Sequence, residues 1–103
     1  MELTVFERLI LLEILPSEGD FLTLKIVRKM REDLSFSEEE HKNLQFVQEE
    51  NLVRWNKAAE ENKPITFGEK AISIIKAALN KLNNDKKLTE QHFTLYEKFI
   101  EEE

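Results

Sequence analysis

Apolar residues recur at helical spacing in four separate stretches of this chain, and only two glycines and two prolines punctuate its 103 residues. With so few breakers, long loops and many tight turns are not expected, and the pattern favours helices joined by short connections. A chain of this length can bury roughly 65% of the surface its unfolded form exposes, enough for one real core. Residues 1–103 are therefore read as a single domain. Hydrophobic residues make up 41% and charged residues 35% of the chain, a globular rather than a disordered mixture.

Thr4 and Glu7 form a capping box, which starts a first helix at about Val5; Pro16 stops it after Leu15. Its apolar residues Val5, Phe6, Leu9, Ile10, Leu11, Leu12, Ile14 and Leu15 cover more than one stripe. Such a helix is central in a core or shared with another chain. Asp20 is the expected N-cap of a second helix, about Phe21 to Leu34. Leu22, Ile26, Val27, Met30 and Leu34 give it one buried face, and Lys25, Arg28, Lys29, Arg31, Glu32 and Asp33 the opposite one. Ser37 and Glu40 form a second capping box and open a short helix through about Asn43.

Leu44, Phe46, Val53 and Trp55 then alternate with Gln45, Gln48 and Arg54 on either side of Glu49-Glu50-Asn51, which reads as a β-hairpin. Ile65-Thr66-Phe67 fits either a third short strand or the entry to the next helix, where Thr66 and Glu69 would make a third capping box. That helix, about Glu69 to Asn83, carries the stripe Ala71, Ile72, Ile75, Ala78, Leu79 and Leu82. A last one, capped by Thr89, runs from about Glu90 to Ile100. The expected fold is α+β and mainly helical, with about five helices and a small β-hairpin or three-stranded sheet. The order helix, helix, short helix, hairpin is also that of a winged helix.

Charge and composition narrow the functional classes. The net charge is −6, and the short third helix begins Ser37-Glu38-Glu39-Glu40. Carboxylates there and at Glu49 and Glu50 would face phosphates, so DNA binding is not expected. Without cysteine there is no disulfide, thiolate zinc site or cysteine nucleophile. Glu7, Arg8 and Glu13 interrupt the first apolar run, and no stretch approaches the roughly 20 apolar residues of a membrane span, so a cytoplasmic location is expected. His41 and His92 lack the spacing of zinc or di-iron motifs. Neither a nucleophile elbow nor a phosphate-cradling glycine loop is present, so neither an enzyme nor a cofactor is expected.

Two binding constellations remain. Lys25, Arg28 and Lys29 share a helix face that could hold an anion, although Glu32 and Asp33 stand four residues after Arg28 and Lys29, and such pairs contribute about 0.2–0.5 kcal/mol each. Arg54, Trp55 and Lys57 combine cations with an aromatic ring. In an oligomeric sponge, Lys25, Arg28 and Arg54 would grip an anionic nucleotide while Trp55 or Tyr96 stacks on its base. In a protein-binding domain, Phe6, Leu9, Ile10, Leu12 and Trp55 would form the interface with a host protein or a second copy.

The stretch LTVFERLILLEILPSEGDFLTLKIVRKMREDLSFSEEE, from Leu3 to Glu40, and the later KLTEQHFTLYEKF resemble small proteins encoded by phages and prophages in style and layout. The resemblance implies a mobile-element origin and a non-enzymatic protein that occupies or sequesters a host factor, as in counter-defence or host takeover. It leaves the nucleotide sponge and the winged-helix regulator as alternatives and transfers no functional residue. The acidic third helix departs from the pattern of a DNA-binding regulator.

Overall fold

Reciprocal caps begin two of the helices. The Thr4 hydroxyl accepts the Glu7 backbone N–H at 3.0 Å while the Glu7 carboxylate accepts that of Thr4 at 3.0 Å. In the computed structural model, which describes residues 1–101, helix α1 follows as Val5–Ile14. Asp20 accepts the Thr23 N–H at 2.7 Å and opens α2, Phe21–Leu34. Ser37 and Glu40 cap each other's backbone in the same way, opening α3, Glu38–Leu44. The two capping boxes, the Asp20 cap and the bounds of α2 agree with the sequence reading.

Two short antiparallel sheets complete the fold, which is α+β and mainly helical. Strand β1, Glu2–Leu3, pairs with β4, Lys63–Pro64. Met1 extends this ladder, since its carbonyl accepts the Ile65 N–H at 2.8 Å. Strands β2, Val47–Glu49, and β3, Leu52–Arg54, form the hairpin, with Gln48 opposite Val53. The extended segment expected at Ile65–Phe67 thus falls two residues earlier and joins the N-terminus, not the hairpin. Leu44 ends α3 and does not begin a strand: the Gln45 N–H still donates to the His41 carbonyl at 3.0 Å, and Gln45 then takes a left-handed conformation at φ 49°.

Helix α4 is Glu69–Asn84. Its N-cap is Gly68, with no side-chain cap, so the box expected from Thr66 and Glu69 does not form. The C-terminal segment has three parts: a 3₁₀ turn Glu90–His92, a short α5, Phe93–Tyr96, and a π turn Glu97–Glu101.

Helix α1 packs against both α2 and α4, and those two also touch each other. Leu3, Ile10, Leu11 and Leu15 meet Val27, Met30 and Leu34 of α2, Ala71, Ile75 and Leu79 of α4, and Leu95 and Phe99 of the last segment. Phe67 closes one end of this core edge-to-face on Phe99, centroids 5.7 Å apart. This central position absorbs most of the apolar surplus of α1.

Candidate interaction surfaces

A buried cation holds the hairpin's platform together. Arg8 is 0% exposed. Its Nε donates to the Leu34 carbonyl at 3.1 Å and one Nη to the Ser35 carbonyl at 2.7 Å. These carbonyls end α2, where oxygens lack helical partners and the dipole favours a positive charge. The guanidinium also meets Glu40 at 2.5 and 3.3 Å and lies 3.8 Å over the Phe36 ring. The Arg8 hydrogen bond, against the opposing effect of burial and with help from the Ser37 N–H, lowers the Glu40 pKa to about 2.

From Phe36 an aromatic ladder runs to the hairpin. Phe36 packs edge-on against Phe46 at 5.0 Å, Phe46 tilts against Trp55 at 6.2 Å, and Trp55 stacks on Phe6 at 6.4 Å. The Trp55 indole N–H donates to the Glu60 carboxylate. Trp55 therefore serves as a brace between α1 and the hairpin. With the inner face held this way, the hairpin turns Val47, Glu49, Leu52 and Arg54 outwards. Leu52 is 61% exposed, Val47 is also open, and Arg54 lies 3.6 Å from Glu49, while Val53 on the opposite face remains partly exposed.

A second apolar surface begins at the N-terminus of α2, where Phe21 is 82% exposed and Leu22 and Leu24 are exposed beside it. Leu22, Ile26, Met30 and Phe67 line a groove of about 610 Å³ between α2 and the start of α4. A third concavity, about 840 Å³, runs along α4 past Ile74, Ala77, Ala78 and Leu82 to His92.

The residues expected in a nucleotide sponge are distributed over these surfaces. Lys25 lines the groove between α2 and α4, and Arg28 is exposed on α2. Arg54 lies on the outer hairpin face, and Trp55 on the inner one. Tyr96 accepts from the Asn83 side chain at 3.3 Å. Neither concavity described above is lined by two of the five. Of the expected ion pairs on α2, Lys29–Asp33 forms at 2.9 Å, and no Arg28–Glu32 bridge is made.

Among the residues expected at an interface, Phe6 is exposed beside Trp55, and Leu9 and Leu12 are half-buried. Ile10 requires correction. It is 5% exposed and belongs to the core, because α2 and α4 cover α1 from two sides.

Glu7 and Arg8 were legible in the sequence only as charges interrupting an apolar run, yet both are buried and paired. Burial pushes the Glu7 carboxyl up, but the Lys98 ammonium at 2.7 Å and the Thr4 N–H outweigh it and leave the pKa lowered. The available signal was their position: a charge on a helix apolar nearly all round must find a partner inside.

Among the described residues, no group of three or more His, Cys, Asp or Glu could hold a metal ion, and no helix is long and apolar enough to cross a membrane. No protein-family model, curated protein or solved structure matches the chain.

Proposed function

We propose that this chain is a phage-type, non-enzymatic binding protein that occupies or sequesters a host protein. One observation carries the reading. Large apolar side chains stay exposed in two groups, Phe21, Leu22 and Leu24 on α2 and Val47 and Leu52 on the outer face of the hairpin. Single exposed apolar residues are ordinary, whereas contiguous ones point to a contact surface. The hairpin is also braced from beneath by Arg8 and the aromatic ladder, so its outer face is presented on a rigid support. Glu49, Glu50 and Arg54 around the apolar tip would set specificity and encounter rate more than affinity.

Affinity capture from the cytoplasm of the host, paired with a thermal-shift panel of nucleotides, tests the proposal. The expected result is one host protein recovered in near-stoichiometric yield and an unchanged Tm with every nucleotide. A Tm that rises with one nucleotide, with no protein recovered, would replace this reading with the sponge, since a ligand of the native state stabilises it. Retardation of duplex DNA that weakens with salt would replace it with the regulator.

A further inference from the structure

Resting on the protein-binding reading, we infer that the groove between α2 and the start of α4 docks an acidic amphipathic helix of the partner protein. The first ground is the distribution of charge. The chain as a whole is strongly acidic, with 21 Asp and Glu against 15 Lys and Arg. Helices α2 and α4 nevertheless carry seven of those cations and only three of the carboxylates. The two helices are neighbours, and three of these cations, Lys25, Lys29 and Lys70, line the groove between them, against the two carboxylates Asp33 and Glu69.

The second ground is how these cations are used. Arg31 is committed internally, donating to the Leu12 and Leu15 carbonyls at the end of α1, and Lys29 is paired with Asp33. Lys25 and Lys70, both exposed on the rim of the groove, make no ion pair among the described residues. Between them the floor is apolar, formed by Leu22, Ile26, Met30 and Phe67.

An apolar floor between unpaired cations matches a helix that presents leucine-like side chains at i, i+4 and i+7 and carboxylates along their flanks. Nucleic acid fits less well, because Asp33 and Glu69 also line the groove and its base is aliphatic apart from Phe67. A lipid surface fits less well because the site is concave.

The test uses the full chain and a fluorescein-labelled 16-residue helical peptide with Leu at those spacings and Glu on both flanks. A control peptide has every Glu replaced by Lys, and vesicles of phosphatidylglycerol and phosphatidylcholine are a third probe. The acidic peptide is expected to bind saturably, at least about tenfold tighter than the control. Lys25→Glu with Lys70→Glu should weaken it at least about tenfold, as should Leu22→Ser. Both lysines are exposed, and a carboxylate in the first turn of α4 suits the helix dipole, so the reversed variant should keep its Tm. Equal binding of the two peptides, no binding, or indifference to charge reversal would overturn the inference. Co-sedimentation with the anionic vesicles while the acidic peptide fails would assign the face to a membrane instead. A failed peptide test with host-protein capture intact would remove this groove and leave the hairpin as the docking surface.

Discussion

Arg8 and Glu40 show how much of this fold depends on one pair. Arg8 is fully buried, and Glu40 keeps 29% of its side chain exposed. Glu40→Gln preserves an oxygen for capping and removes only the charge. It leaves a buried guanidinium without its counter-ion, for an expected cost of about 3 kcal/mol, read as a lower denaturation midpoint at unchanged m. The pH dependence follows from the same pair. The folded-state pKa of Glu40 lies at about 2, below its ordinary 4.5, so the unfolded chain binds the proton more readily. The stabilisation is complete above pH 4.5 and is lost as pH falls towards 2. Glu7, also lowered, acts in the same direction. A pH titration of unfolding should therefore bring wild type and Glu40→Gln together at the acid end and separate them near neutrality. The caps of α1 and α3 were legible because donor and acceptor are three residues apart. Arg8–Glu40 and Glu7–Lys98 were not, because their partners lie 32 and 91 residues away and no local pattern links them.

At the level of elements, the hairpin was legible in kind and in its inner face but offset in its bounds. The alternation was taken to begin at Leu44, whereas the helix continues that far and Gln45 makes the exit at φ 49°. A left-handed conformation costs an ordinary residue about 1–2 kcal/mol, partly offset for glycine by the greater freedom of its unfolded chain. Gln45→Gly should accordingly raise Tm by a few degrees, about 4 °C per kcal/mol at this size, in a calorimetric scan. Gln45→Val should lower it. Strands of two residues, such as β1 and β4, have no period to read, and their pairing spans α1 to α3 and the whole hairpin. The C-terminal helix was legible as helical, but its division into 3₁₀, α and π turns was not, because each part is about one turn long, too short to show its own period.

Across the whole molecule, the apolar surplus divides into two populations. That of α1 is mostly consumed internally, which the sequence left open because a helix apolar on several sides looks alike whether its cover is α2 and α4 or a second chain. The remainder lies on the hairpin and the start of α2, away from the core. Substitution there should leave the fold intact: Leu52→Glu is expected to change stability by no more than about 0.5 kcal/mol in denaturant titration. Charge is divided too, with α2 and α4 basic against an acidic remainder, a contrast that the net value of −6 conceals until the helices are placed side by side.

The most direct measurement is quantitative host-protein capture by the Phe21→Glu, Leu52→Glu double variant beside its melting curve. If these exposed side chains exist for a partner, Tm stays within a few degrees of wild type while recovered partner falls by at least about tenfold, the equivalent of 1.4 kcal/mol in affinity. Full recovery of the partner, or collapse of the fold, would contradict the account.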